Sequence, residues 1–375
     1  MKVALIVPGG VDRSGEVRVI PALLALISRL SAEHEVHVFA THQDTVPGCW
    51  SLEGATVHNL GLPRTPWRAV TMILAEHRRA PFDIVHSIWA GACGALAVAV
   101  ATLLRLPSVV PVAGGELVAL ADIGYGGCLS WRGRVREHAV LRRATVVTCA
   151  SRPVEELVAK HGVKAQRVAL GVDLRRWPVR SPVRRRREDP ARLVHVASLN
   201  RVKDQTTLMR ALGQLAKRGH GFSVDMVGED TLDGEIQALS AELGIAERVR
   251  FHGFLTHRQL RPIVESAHVA LLSSRHEAGP LALLEAAVAG VPTVGTAVGH
   301  IAEWSPHAAL GVPCRDPAAL AAALESVLAD EDLRMRIAGE ALRRAQQDDA
   351  DQTARACNEI YRHAVRRRVR DSRNA

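Results

Sequence analysis

Short apolar runs rich in Val, Leu and Ala alternate with stretches of helical periodicity along this chain, and after one interruption the alternation starts again. In the first half, residues 3–7, 36–40, 84–86, 109–112 and 146–149 have the length and composition of buried strands. Residues 19–30, 67–78, 91–104 and 133–143 between them carry helical patterns. Strands that alternate with helices pair in parallel and are covered on both faces, so the expected architecture is a doubly wound α/β sheet. The second half repeats it, with strands expected at 193–197, 223–227, 249–251, 269–272 and 292–294. Its helices are expected at 206–218, 232–243, 256–266 and 281–290, then at 316–328 and 331–344, with a basic helical pattern over 354–370.

The interruption spans residues 175–192, where Pro178, Pro182 and Pro190 stand among many arginines. Prolines and like charges resist packing, which predicts a linker. The chain has 375 residues, 47% of them apolar, enough for two domains of roughly 100–200 residues, each with its own core. The expected division is 1–175, a linker at 176–192, a second domain at 193–350, and a C-terminal helix and basic tail at 351–375 that packs back on the first domain.

Composition narrows the function classes. Six cysteines are spread out without a CxxC pair, which argues for reduced thiols and against a zinc site or a disulfide framework. The opening run MKVALIV stops at Pro8-Gly9-Gly10, too early for a signal peptide, and no apolar stretch reaches the roughly 20 residues of a membrane span. The expected location is therefore cytoplasmic. The net charge of +9 is concentrated in Arg184, Arg185, Arg186 and Arg187 and in Arg366, Arg367, Arg368, Arg370 and Arg373. These runs suit a solvated linker and tail, or peripheral contact with an anionic membrane. Nucleic acid is not an expected partner, because no aromatic residues interleave the charge.

One segment carries the chemistry. After the apolar run ending at Leu272 come Ser273-Ser274-Arg275-His276-Glu277-Ala278-Gly279-Pro280-Leu281 and then a helical run holding Glu285. A loop entering a helix at Pro280 offers free N–H groups to an anion. Glu277 stands before that helix and Glu285 two turns into it, at different depths of one site. A second segment, Ser198-Leu199-Asn200-Arg201-Val202-Lys203-Asp204, is a polar strand-to-helix turn whose Lys203 suits a diphosphate as a point charge.

The first segment resembles the Glu-x7-Glu motif of retaining glycosyltransferases of the GT-B type, family 4, with Gly279-Pro280-Leu281 inside it and Gly290-Val291-Pro292 beyond. The second resembles that family's Gly-Arg-Leu-x3-Lys segment, with Ser198 where the family has Arg and Arg201 nearby as a substitute cation. Val227-Gly228-Glu229, Phe251-His252-Gly253, Gly171-Val172-Asp173 and Gly299-His300-Ile301-Ala302-Glu303 resemble further family turns, although Leu170 stands where an Asn is usual. The resemblance is strong over about residues 145–345 and architectural before that.

It implies two Rossmann-like domains with parallel sheets facing a central cleft, the first binding the acceptor and the second a nucleotide-sugar donor. It implies Glu277, Lys203 and Arg201 as catalytic residues. Gly9, Gly10, Gly228, His252, Gly279, Pro280, Leu281 and Glu285 would line the donor. The implied activity is metal-independent hexosyl transfer with retention from a UDP- or GDP-sugar to a saccharide or lipid hydroxyl, as in polysaccharide biosynthesis. No cofactor beyond the co-substrate is implied, and no DxD metal motif is present. The catalytic-loop His of many members is missing from Val112-Ala113-Gly114-Gly115-Glu116, where Glu116 is an acceptor-side candidate unless the glycines are only a tight turn. Tyr125 is a second acceptor-side candidate, on a mobile loop. His86, at a strand end, reads either as facing the cleft or as a structural histidine. Pro8-Gly9-Gly10 lacks GxGxxG, against a dinucleotide dehydrogenase. Rival readings are an epimerase or hydrolase of nucleotide sugars on the same fold, and a binding protein without turnover.

Overall fold

The computed structural model describes residues 1–62, 65–186 and 188–373, with side chains described up to residue 370. Arg187 and the side chain of Arg373 therefore lie outside the described residues. The chain divides into two compact units, Met1–Gly171 together with Ala350–Ala375, and Val172–Asp349.

The first unit runs β1 (Lys2–Val7), α1 (Pro21–Ser31), β2 (Glu35–Ala40), β3 (Gly48–Leu52), β4 (Ala55–Asn59), α2 (Pro66–Arg79) and β5 (Ile84–Ser87). It continues through α3 (Ala95–Leu104), β6 (Ser108–Val112), α4 (Trp131–Arg143), β7 (Val146–Cys149), α5 (Arg152–Ala159) and β8 (Ala165–Arg167). Its sheet has the order β3-β4-β2-β1-β5-β6-β7-β8. Every residue of β1 is buried, and its side chains alternate between two cores. Val3, Leu5 and Val7 join Leu23, Leu24 and Ile27 of α1. Ala4 and Ile6 join Phe39, Phe82 and residues of α3 on the other face. The edge departs from the expected all-parallel sheet, because β3 and β4 form an antiparallel hairpin. Glu53 and Gly54 both take positive φ there, the signature of a two-residue turn whose twist matches its strands.

The second unit runs β9 (Ala191–Val196), α6 (Gln205–Lys217), β10 (Phe222–Val227), α7 (Glu235–Glu242), β11 (Val249–Gly253), α8 (His257–Ser266), β12 (Val269–Leu272) and α9 (Leu281–Val288). It ends with β13 (Thr293–Thr296), α10 (Gly299–Trp304), β14 (Leu310–Val312), α11 (Pro317–Ala329) and α12 (Glu331–Gln347). Its strands pair in parallel in the order β11-β10-β9-β12-β13-β14. The order reverses direction at β9, so the turns after β9 and β12 emerge side by side. Such a switch point is where open α/β sheets hold ligands.

The chain then returns to the first unit as α13 (Ala350–Arg373). Cys357, Ile360, Tyr361 and Ala364 of this helix are buried in the same core as α1. Asn358 bridges His34 (2.9 Å) and Glu33 (2.7 Å), and Arg29 pairs with Asp351.

The stretch read as a linker is not free chain. Arg180 N–H donates to the Val288 carbonyl (2.8 Å), and Trp177 is buried in the second unit's core. Arg184 pairs with Asp332 (2.5 Å) and the Arg185 backbone N–H with Glu331 (2.8 Å). The arginine run meets acidic residues at the start of α12, which charge counting along the sequence alone does not reveal. Behind it Arg334, only 2% exposed, reaches Glu331 (2.6 Å) and the carbonyls of His268 (3.1 Å) and Val183. Removing one member of a buried charged network strands its partners. Arg334→Leu should lower unfolding free energy by about 3 kcal/mol in urea denaturation. An unchanged midpoint would show that the network contributes nothing.

Candidate functional site

The site is assembled where β9 and β12 end. The turn after β9 carries Lys203, and the loop after β12 carries Glu277. Their side chains meet at 2.5 Å, Lys203 Nζ donating to Glu277 Oε1. Ser274 Oγ donates to the same oxygen (2.6 Å). Two further bonds stitch the loops together: Ser273 Oγ donates to the Lys203 carbonyl (2.7 Å), and the Arg275 backbone N–H to the Val202 carbonyl (2.8 Å). Gly299 approaches from α10, and a Cβ there would lie 2.9 Å from the Glu277 carbonyl oxygen. Its φ of +51° independently favours glycine.

Beneath the turn lies a polar chain that sequence reasoning missed. His195, fully buried in β9, donates from Nδ1 to the Leu271 carbonyl of β12 (2.8 Å). Its Nε2 accepts from Gln205 Nε2 (3.1 Å), which also reaches the Ser198 carbonyl (3.1 Å). Gln205 Oε1 in turn accepts the Asn200 N–H (3.2 Å). Burial depresses the His195 pKa to about 4, so the ring is neutral and has one donor and one acceptor to place. The signal was a histidine inside the apolar run Leu193-Val194-His195-Val196. Asp204, at positive φ, then caps α6 by accepting the Thr207 N–H (3.3 Å).

Glu285 is on the buried side of α9. The helix opens at Leu281 with Pro280 as its N-cap, so Pro280 is not in the first turn and Glu285 is little more than one turn in. The extended ψ of 118° at Pro280 keeps that residue outside the helix. Burial pushes the Glu285 carboxyl up to about 7, with the Trp177 indole N–H pulling the other way. His257 Nε2 lies 3.5 Å from Glu285 Oε1, while its Nδ1 accepts from Trp177 (3.1 Å). Burial, with the Arg176 charge, holds His257 down to about 4. Trp177 and His257 carried no motif signal.

The remaining second-unit candidates separate. Gly228 follows β10, and its N–H donates to the Gly253 carbonyl (2.9 Å). His252 is bound to Asp225 (2.7 Å) on β10. Gly279 precedes the Pro280 cap in the Glu277 loop. Arg201 does not join Lys203: it pairs with Glu235 on α7 (2.6 Å), because the turn carries its side chain outward to half-exposed positions.

In the first unit Gly9 and Gly10 form the turn after β1, and the Gly10 carbonyl accepts the Ile20 N–H (3.0 Å). Glu116 is buried and turns inward, accepting the N–H groups of Gly114 (2.7 Å), Ala90 (3.2 Å) and Ala113 (3.4 Å). Burial raises its pKa despite those donors. The loop is thus a tight turn with Glu116 as its internal brace. Tyr125 packs over it, so close that a Cβ on Gly115 would meet its ring at 2.5 Å. Two backbone bonds between Leu120 and Tyr125 (2.8 and 3.1 Å) close that loop. His86 faces no opening. It is fully buried with Nδ1 2.5 Å from the Tyr361 hydroxyl of α13.

Residues 180–344 match the family model of glycosyl transferases group 1, and residues 19–171 match that of a glycosyl transferase 4-like domain. The two glycosyl transferase models together span most of the chain, one in each unit. Among its relatives, a glycogen synthase of Mycobacterium tuberculosis is 31% identical over 64% of this chain, and the match spans only 59% of that relative's length. A D-inositol 3-phosphate glycosyltransferase of Xylanimonas cellulosilytica is 27% identical over 96% of this chain and 94% of its own. The sucrose-phosphate synthase of Thermosynechococcus elongatus superposes with a TM-score of 0.81 at 20% identity, covering 97% of this chain and 99% of that one. HepE of Anabaena, solved with UDP-glucose, does so with a TM-score of 0.72 at 17% identity, covering 96% and 99%. The fold is accordingly the GT-B architecture of two Rossmann-like units.

The position of Glu285 makes a pH prediction. In the fold its pKa is about 7, against 4.5 for a free glutamate. Between these values the folded chain holds a proton that the unfolded chain has lost, so stability falls as pH rises through this window. Glu285→Gln abolishes that loss. The variant's melting temperature should exceed the parent's by a margin that grows from about pH 5 to about pH 8, toward the equivalent of about 3 kcal/mol. A margin constant across that range would place the titration elsewhere.

Proposed function

We propose that this chain is a retaining hexosyltransferase that takes its sugar from a UDP- or GDP-sugar and passes it to a hydroxyl of a saccharide or lipid acceptor. The observation that carries the reading is the Lys203–Glu277 pair at the β9/β12 switch point, with the buried Glu285 eight residues beyond Glu277. The matches to the two glycosyl transferase family models support it, as do the donor complexes of the structural neighbour HepE.

On this reading the pair is the resting state of a donor site. An arriving diphosphate competes with Glu277 for the Lys203 ammonium, and Lys203 moves to the phosphoryl oxygens. Glu277, still held by Ser274, then accepts from a hydroxyl of the donor sugar. Glu285 serves the ribose hydroxyls, which a carboxyl titrating near neutrality meets either as acceptor or as donor. Negative charge grows on the leaving diphosphate in the transition state, and Lys203 with nearby backbone N–H groups stabilises it without a catalytic metal. The acceptor hydroxyl attacks the face from which the diphosphate leaves: its oxygen bonds to the anomeric carbon as the bond to the diphosphate oxygen breaks, and its proton passes to the departing diphosphate. The first unit supplies the acceptor side through the loops of Glu116 and Tyr125, with Glu116 shaping its loop from within, while the turn of Gly9 and Gly10 serves the donor.

Among the described residues no helix is long and apolar enough to cross a membrane. The exposed arginines at the end of α13 suit peripheral contact with the anionic inner face of a membrane, from a cytoplasmic location. A lipid or polysaccharide acceptor presented there fits that placement. The substitution at Ser198 and the outward turn of Arg201 leave Lys203 as the cation of its turn, which favours, as the second reading, a nucleotide-sugar-binding protein without turnover.

The two readings part in one experiment. UDP, GDP and ADP and their sugar conjugates are screened by calorimetry, and the conjugate that binds is tested for sugar release and transfer. Lys203→Met should lower kcat/KM by about 100-fold or more and weaken diphosphate binding. Glu277→Gln should abolish transfer while leaving nucleotide binding within a few-fold. Tight binding without turnover under any acceptor would establish the second reading, and transfer undiminished in Glu277→Gln would remove the site assignment.

A further inference from the structure

Toward the edge of the first unit's sheet, outside the residues assigned to the transfer site, three side chains converge from three elements. His37 projects from β2, His58 from β4 and Glu76 from α2. His37 Nδ1 lies 2.9 Å from His58 Nε2 and 3.8 Å from Glu76 Oε1, and all three ligand-type atoms lie within 4.8 Å of one another. We propose that these residues form a structural site for a first-row divalent metal ion of the zinc class, with His37 Nδ1, His58 Nε2 and a Glu76 oxygen as ligands.

Two imidazoles and a carboxylate are a ligand set that such ions favour, and tetrahedral coordination at about 2.0–2.1 Å sets ligand atoms about 3.4 Å apart. The observed spacings bracket that value, so the rings need to part by roughly half an ångström. The surroundings are those of a ligand set with its outer shell in place. His37 Nε2 sits 2.9 Å from Glu35 Oε1, which makes Nδ1 the unprotonated nitrogen; it accepts from His58 Nε2 (2.9 Å), and both nitrogens face a metal ion once His58 carries its proton on Nδ1 instead. Lys2 holds Glu76 Oε1 (3.0 Å) and Glu35 Oε1 (3.2 Å), orienting both carboxylates. Phe39 stacks on His58 with ring centroids 4.8 Å apart, and Phe82 stands edge-on to His37 at 5.6 Å.

Charge points the same way. Two carboxylates face a single buried ammonium, with Arg79 reaching Glu76 only from the exposed rim (3.4 Å). The absence of CxxC and DxD patterns had pointed away from any metal. Here the ligands are spaced 21 and 18 residues apart and are gathered only by the strand order β4-β2 and by α2 lying across it. The role is a clip that ties α2 to the sheet edge, separate from the transfer chemistry.

The test uses the full chain, stripped with a chelator, dialysed and titrated with Co²⁺, whose visible spectrum reports coordination. One equivalent should bind with the intense bands of a four-coordinate site and be displaced by Zn²⁺. The melting temperature should rise with Zn²⁺ for the parent but not for His58→Gln or Glu76→Gln. Because either ligand change could also loosen the edge, Glu35→Gln provides the second arm: it leaves all three ligands in place and should weaken Co²⁺ binding by about tenfold or more. Absence of the four-coordinate spectrum, or equal affinity in folded His58→Gln and Glu35→Gln, would show a plain hydrogen-bonded histidine pair and overturn the proposal.

Discussion

A strand buried on both faces has no water to satisfy its backbone, so it must lie between two other strands. For β9 those neighbours are β10 and β12, and this adjacency decides where the chemistry sits. It brings together two turns that are 70 residues apart in sequence, as the Ser273–Lys203 hydrogen bond records. The buried His195 reinforces the pairing from inside, because its ring spans from the Leu271 carbonyl to Gln205 at the foot of the Lys203 turn. Sheet packing and site geometry are therefore one construction. A neutral histidine in the core sets the register of a loop that carries charge at the surface.

Three glutamates show how environment divides a single residue type. Glu277 lies against an ammonium and a hydroxyl and is available to a ligand. Glu285 is buried against Trp177 and His257 and titrates near neutrality. Glu116 is turned into its own loop and spends its oxygens on three backbone N–H groups. No property of the side chain separates these cases. The distinction lies in what replaces water around each carboxylate, which is a matter of packing.

The strand and helix alternation was legible because buried parallel strands leave an unmistakable apolar trace, and the pattern's restart marked the second unit. The Glu277–Glu285 segment was legible because a loop, a helix start and two carboxylates at fixed spacing form a local pattern. What escaped was, apart from one hairpin, non-local. The β3–β4 hairpin depends on a short polar turn with weak apolar signal. The role of Arg184 and Arg185 depends on Asp332 and Glu331, nearly 150 residues away. Arg201 was assigned by proximity in sequence, yet its side chain is decided by Glu235 across the turn. Trp177 and His257 matter only through the space they close around Glu285.

The chain leaves the first unit at Gly171 and re-enters it at Ala350, so the whole second unit is an insertion between α13 and the sheet that α13 covers. Until that last helix is made, His86 lacks the Tyr361 hydroxyl and the apolar face of α1 lacks its cover. At ribosomal rates of about 5–20 residues per second, the first unit waits on the order of ten to forty seconds for its final piece while the second emerges. The older half of the nascent chain is thus the last to be sealed, and its exposed α1 surface is the one a chaperone would meet.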